Sequence, residues 1–98
     1  IMALPGVDGC FVGPADLAIS LGLSRHRAEY EQEPAQQAAL KKIVDTTLAA
    51  GKMPCCNSYS PDDFAAQKAA GFQGITMKSD LDLLFDRGTN LLSKLKEI

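Results

Sequence analysis

The chain has 98 residues, of which 46% are apolar and 22% charged, a composition typical of a globular protein and unlike that of disordered, collagen-like or disulfide-scaffold chains. Its net charge of −2, without a cluster of one sign, argues against nucleic-acid and membrane-surface partners. No apolar run approaches the roughly 20 residues that cross a bilayer. The three cysteines, an odd number without C-x-x-C spacing, disfavour a disulfide framework or a zinc site. We therefore expect a cytoplasmic protein with reduced thiols.

The first predicted element is a short strand followed directly by a helix. Residues Gly9–Gly13 form an apolar run between glycines without alternation, which indicates a strand covered on both faces, as in a parallel sheet. Pro14 suits a first helical position, and the helix is expected to end at Gly22. The charged stretch Leu23–Glu33 lacks apolar periodicity, so we expect a solvated, mobile loop or irregular helix there.

A second unit of helix, strand and helix follows. Apolar residues recur at helical spacing between Pro34 and Gly51, which predicts a helix of about four turns. The short apolar segment Lys52–Asn57 predicts the second strand. Ser60, followed by proline and two aspartates, is a helix-start signature, and this helix is predicted to run to Gly71.

The last predicted unit is the strand Phe72–Met77 and a helix that Ser79 caps. This helix carries an apolar stripe wider than a small sheet needs, and Gly88 interrupts the stripe at a cost in helix propensity. We expect another subunit to cover part of the helix; the alternative is that the stripe closes against the chain's own sheet. The stripe consists of Leu81, Leu84, Phe85, Leu91, Leu92 and Leu95.

Strands that alternate with helices indicate right-handed βαβ units and a parallel sheet. A chain of this size buries only about 60 to 65% of its unfolded surface, so three strands make a marginal domain. The chain is either a minimal three-layer module or the last part of a larger α/β protein. Its start at Ile1, with no initiator Met, favours the second possibility.

Ligands of parallel α/β sheets bind beyond the carboxyl ends of the strands, so the candidate segments are Gly13–Asp16, Asn57–Ser60 and Lys78–Asp80. In the first segment, glycine lets a ligand approach the backbone, and the N–H groups at the helix start suit a carboxylate or phosphate. The charge of Asp16 would repel such an anion unless a hard divalent cation lies between them. Alternatively, Asp16 only caps the helix and interacts with its dipole.

The segment Gly6–Gly22, GVDGCFVGPADLAISLG, resembles the G-V-D-x-x-F-[IV]-G-P-x-D-L-[AS]-x-S-[LM]-G segment of the HpcH/HpaI aldolase/citrate lyase family. The rest of the chain is similar to this family in the layout of its elements. The resemblance implies that residues 1–98 are the C-terminal segment of a single TIM (β/α)8 barrel domain. The segment would supply the last three strands and helices of the barrel, and the N-terminal strands would be absent from this chain.

Members of this family are metal-dependent (class II) aldolases or lyases that cleave or form a carbon–carbon bond next to a 2-oxo acid such as pyruvate, with an aldehyde as the other partner. By resemblance, Asp16 is one of two carboxylate ligands of Mg²⁺ or Mn²⁺, and the backbone at Gly13, Ala15 and Asp16 holds the oxo-acid carboxylate. Asn57 is a further candidate substrate-binding residue. Here the wall of the substrate site would be more polar than is usual in the family. The resemblance also implies a homo-oligomer in which terminal helices cross a dimer contact.

No catalytic base is carried over to this chain, so the 98 residues alone are expected to be inactive. A different interpretation is a non-catalytic α/β module that oligomerises or binds a partner. The remaining chemistry-bearing residues receive structural interpretations: His26 as a surface histidine, Cys55 and Cys56 as small apolar residues, and Lys78 as an ordinary lysine without an apolar pocket to lower its pKa.

Overall fold

The computed structural model describes residues 1–98 and contains one sheet of three strands. The strands are β1 (Gly9–Phe11), β2 (Met53–Ser58) and β3 (Gly74–Met77), and the helices are α1 (Pro14–Ser20), α2 (Arg27–Tyr30), α3 (Pro34–Ala49), α4 (Pro61–Ala69) and α5 (Asp80–Lys96). The sheet order is β1-β2-β3, and both pairings are parallel. The predicted α/β fold of parallel βα units is confirmed.

Local signals determine where the helices begin and end. Ser60 Oγ accepts a hydrogen bond from the Asp63 N–H at 3.1 Å, and Ser79 forms a reciprocal capping box with Asp82. Gly51, which follows the C-cap residue Ala50 of α3, has a φ of +70°, which glycine adopts without strain. The observed boundaries therefore agree closely with those expected from the sequence.

The two faces of the sheet differ in what covers them. Cys10, Cys56 and Ile75 point to the face on which α3 packs, and they contribute to the core there. The opposite face carries no helix, and Phe11 on it is 61% exposed. The expectation that β1 is covered on both faces is wrong, because this chain supplies helices to one face only. The buried apolar cluster consists of Val12, Val44, Cys56 and Phe72.

Residues Leu23–Glu33 are more ordered than their composition suggests. They contain α2, and Tyr30 at its end is 4% exposed. The expected irregular helix is present as α2, the other residues of the segment form turns and loops, and one buried aromatic ring holds the segment against the rest of the fold. A single anchor of this kind leaves no apolar periodicity in the sequence.

The last helix, α5, projects from the body of the molecule. None of its residues is buried, and it makes no extended contact with another element of the chain. The molecule is accordingly 58 Å long but only 27 and 22 Å across. The alternative that its stripe closes against the chain's own sheet is wrong. Apart from the adjacent residues and backbone of α5 itself, no atom of this chain lies within 4 Å of where a side chain at Gly88 would begin, so this chain does not supply the close neighbour expected there.

None of the helices is both long enough and apolar enough to cross a membrane.

Candidate functional site

The three candidate segments lie at one edge of the sheet. Each directly follows a strand, and parallel strands end at the same edge. Phe11 pairs with Cys55, so Gly13 and Asn57, each two residues further on, lie at the same level. The edge therefore combines the start of α1 with a polar side chain from the neighbouring strand.

The carboxylate of Asp16 lies at this edge without a protein partner. Asp16 is in the first turn of α1, is exposed and makes no capping hydrogen bond. The carboxylate folds back over the turn, and Asp16 Oδ2 lies 2.8 Å from where a Cβ at position 13 would be. The alternative of Asp16 as a hydrogen-bonding cap is therefore wrong, although its charge still favours the helix N-terminus.

Asp16 fits one position of a Mg²⁺ or Mn²⁺ site. Such hard cations prefer carboxylate oxygens, and Mg²⁺ is commonly held by one or two protein carboxylates together with water and substrate oxygens. The chain brings together no group of three or more His, Cys, Asp or Glu side chains that could hold a metal ion. A cation at Asp16 would therefore need ligands from water, from substrate or from residues outside this chain.

Asn57 is held in place by its neighbour on β3. The Thr76 hydroxyl donates to Asn57 Oδ1 at 2.9 Å, across the face of the sheet that no helix covers. This bond uses the amide oxygen and leaves the Nδ2 hydrogens available to a ligand. The sequence did not point to Thr76, because a threonine in a short strand carries no functional signal by itself.

A small polar cavity of about 90 Å³ lies between α2, α3 and α4, next to the same edge. Asp63 Oδ2 accepts a hydrogen bond from the Tyr59 N–H at 2.9 Å, and the Arg27 guanidinium lies 3.3 Å from Asp63 Oδ1. All three residues of these contacts line the cavity. Its polar lining includes Arg27, Tyr30, Gln36, Tyr59, Asp63 and Gln67.

Gln36 is a buried polar residue that sequence reasoning missed. It is 1% exposed, and its Nε2 donates to the Pro14 carbonyl at 2.8 Å. Its position in the sequence could have indicated burial, because Gln36 lies one helical turn before Leu40, on the side of α3 that faces the core.

Two nucleophilic side chains, Cys56 and Lys78, are respectively protonated and paired. Burial raises the pKa of the Cys56 thiol to about 11, so it stays protonated at neutral pH. All three cysteines are free; Cys56 is the small buried residue expected, whereas Cys55 and Cys10 are only half-buried. Lys78 forms an ion pair with Asp86 of α5, which gives its ammonium group a structural role.

Sequence comparison finds aldolases among the relatives of this chain. A hydroxypyruvate/pyruvate aldolase from Roseobacter denitrificans is 31% identical over 99 residues, which cover 99% of this chain and 36% of the relative. A hydroxypyruvate/pyruvate aldolase from Delftia acidovorans is 37% identical over 86 residues, which cover 86% of this chain and 30% of the relative. No protein-family model matches the chain.

Comparison with solved structures also finds a member of an aldolase family. An HpcH/HpaI aldolase/citrate lyase family protein from Burkholderia cenocepacia superposes with a TM-score of 0.85 at 29% identity, covering 98% of this chain and 36% of the other. Its fold is a TIM barrel, which confirms the expected architecture of the βα units. The chain spans about a third of the length of the curated relatives it matches. By both comparisons, the chain belongs to the HpcH/HpaI aldolase/citrate lyase family.

Proposed function

We propose that this chain is part of a metal-dependent (class II) aldolase or lyase that cleaves or forms a carbon–carbon bond next to a 2-oxo acid such as pyruvate. The observation that carries the proposal is the unpartnered carboxylate of Asp16 at the carboxyl edge of the sheet. The names of the relatives, hydroxypyruvate/pyruvate aldolases, support it. The proposal includes a C-terminal position of residues 1–98 within one barrel domain and a cytoplasmic location, which the free thiols favour.

In the proposed mechanism, residues at the carboxyl edge of the sheet bind the metal ion and the substrate. Asp16 holds Mg²⁺ or Mn²⁺ through its carboxylate, and the backbone at Gly13, Ala15 and Asp16 holds the carboxylate of the oxo acid. When bound, the cation supplies Lewis-acid polarisation of the 2-oxo group, which favours breaking or forming the adjacent bond.

Asn57 orients the substrate, and residues outside this chain move the proton. Thr76 occupies the amide oxygen of Asn57, so the Nδ2 group donates to a polar substituent of the oxo acid or of the aldehyde. The only histidine, His26, is exposed at the start of α2 and is not paired with a carboxylate. General acid–base catalysis is therefore assigned to the remainder of the barrel.

The proposal also includes a homo-oligomer in which a second copy of the protein covers α5. Burial of a leucine or phenylalanine side chain stabilises a protein by roughly 1.5 to 3 kcal/mol, and α5 presents a whole stripe of them to solvent. A continuous apolar patch of this kind marks an interface. The most exposed members of the stripe are Leu81, Leu84, Phe85, Leu92 and Leu95.

Exchange of Asp16 for its amide tests the assignment. In the natural protein, Asp16→Asn should lower Mn²⁺-dependent release of pyruvate from a 4-hydroxy-2-oxo acid by at least about 100-fold, because losing such a charge-stabilising group costs about 2.7 to 4 kcal/mol. Asp62→Asn, at another exposed aspartate in the first turn of a helix, is the matched control and should stay active. An Asp16→Asn variant that binds Mn²⁺ and turns over like the parent refutes the ligand assignment.

A non-catalytic binding module is the second candidate. The lone candidate metal ligand, Asp16, and the uncovered α5 favour it. A natural protein that forms an oligomer but shows no metal-dependent turnover of any 2-oxo acid would select this candidate.

A further inference from the structure

Gln36 connects α3 to the turn that carries Asp16. Its Nε2 donates to the Pro14 carbonyl at 2.8 Å, between residues 22 positions apart in sequence. The orientation of the amide is fixed, because a carbonyl oxygen accepts hydrogen bonds only and therefore requires the NH₂ group. No side chain other than Gln36 forms a hydrogen bond to residues 13–16, and Gly13 at the N-cap of α1 has no side chain with which to cap the helix.

Core packing does not account for a glutamine at this position. Gln36 is 1% exposed, and its Oε1 finds no hydrogen-bond donor in the protein. An unpaired buried amide oxygen lowers stability, whereas an apolar side chain of similar length would pack beside Leu40 without that cost. Apolar packing therefore does not explain the glutamine, whose single hydrogen bond reaches the turn of Asp16.

We propose that Gln36 is a positioning residue for the candidate metal site. By holding the Pro14 carbonyl, it fixes the turn Gly13–Asp16 against α3, so that the Asp16 carboxylate keeps one place at the edge of the sheet. Groups that orient a metal ligand in this way commonly determine metal affinity even though they do not touch the ion. The inference rests on the proposed function, because it assigns Gln36 a role toward the cation that Asp16 would bind.

A pair of neighbouring glutamines provides the experiment. Gln36→Met keeps the length of the side chain and removes the N–H donor, while Gln37→Met is the matched control. Gln37 lies next to Gln36 on α3 and also donates to a backbone carbonyl, that of Glu31 at 2.9 Å, but it is exposed and forms no hydrogen bond to the turn. Two quantities are measured on the natural protein: the Kd for Mn²⁺, from the electron paramagnetic resonance signal of the free ion, and the unfolding temperature of the metal-free protein.

Gln36→Met should raise the Kd for Mn²⁺ about 10- to 100-fold. The unfolding temperature of its metal-free form should equal or exceed that of the parent. Gln37→Met should leave the Mn²⁺ affinity unchanged. An unchanged affinity in Gln36→Met overturns the inference, and so does a loss of affinity that comes with a lower unfolding temperature of the metal-free protein.

Two further outcomes are distinguishable. If Gln36→Met does not fold, Gln36→Leu replaces it, because leucine also has no N–H to donate; Mn²⁺ affinity equal to that of the parent in this variant overturns the inference. If the parent binds Mn²⁺ and the Gln36 variants bind it as tightly as Gln37→Met does, the positioning role is overturned and the proposed function stands. A parent that binds no Mn²⁺ overturns the proposed function, and the inference with it.

Discussion

The guanidinium of Arg27 lies over the ring of Tyr59, with its central carbon 4.3 Å from the ring centroid. The same side chain forms ion pairs with Glu31 and, at 3.3 Å, with Asp63. Its hydrogen bond to Glu31 holds the pKa of Arg27 above the ordinary value. Arg27 thus joins α2 to the connection between β2 and α4, beside the polar cavity.

Replacement of Arg27 by lysine should loosen α2. A lysine keeps the charge but lacks the planar group that stacks on Tyr59 and reaches two carboxylates at once, and an exposed cation–π contact is worth about 0.5 to 1 kcal/mol. We expect Arg27→Lys to lower the free energy of unfolding in urea by about 1 kcal/mol or less and to speed hydrogen exchange in α2. Arg25→Lys, at an exposed arginine of the same segment with no ion pair, is the control; equal exchange rates in the two variants would contradict the prediction.

These contacts show why part of the fold was predictable and part was not. The helix starts at Ser60 and Ser79 and the turn at Gly51 depend on residues within a few positions of one another, so the sequence displays them directly. The contact between α2 and the connection from β2 to α4 depends on Arg27 meeting Tyr59, 32 positions away, and no local pattern records such a contact.

The candidate site divides in the same way. Asp16 belongs to a continuous motif and was recognised from it. Gln36 and Thr76 act through partners far along the chain, Pro14 and Asn57, and became visible only in three dimensions.

The stability of the protein should fall in alkali because of Cys56. Burial raises the pKa of this thiol from 9.0 to about 11. Above pH 9 the unfolded state therefore loses a proton that the folded state keeps, so the contribution of this group to stability is complete below pH 9 and decreases as pH rises toward 11.

Urea unfolding between pH 7 and 10.5 measures this effect. The free energy of unfolding of the parent should decline more steeply above pH 9 than that of Cys56→Ala, whereas Cys10→Ala, at a half-buried cysteine, should decline like the parent. Parallel curves for the parent and Cys56→Ala would show that ionisation of this thiol does not contribute.

The 98-residue chain prepared by itself should not turn over a 2-oxo acid. It contributes one candidate metal-binding carboxylate, Asp16, no group of three or more His, Cys, Asp or Glu side chains that could hold a metal ion, and an exposed histidine that is not paired with a carboxylate. Pyruvate release with Mn²⁺ or Mg²⁺ should equal the rate of the metal ion alone in buffer, while the natural protein is the positive control. If the isolated chain does turn over a 2-oxo acid and Asp16→Asn abolishes this turnover, these residues contain a complete active site.

The interface proposed for α5 is tested by a charge placed in its stripe. Leu84 is 73% exposed and lies within the stripe, one turn before Gly88, so Leu84→Glu puts a carboxylate where a second copy of the protein would have to bury it. Asn90→Glu adds the same charge on the opposite side of α5, which makes it the matched control. Light scattering on the natural protein should give an oligomer for the parent and for Asn90→Glu, and a smaller mass for Leu84→Glu. A parent of monomer mass contradicts the interface. An unchanged mass for Leu84→Glu with a lower unfolding temperature shows instead that other residues of the same molecule cover the stripe.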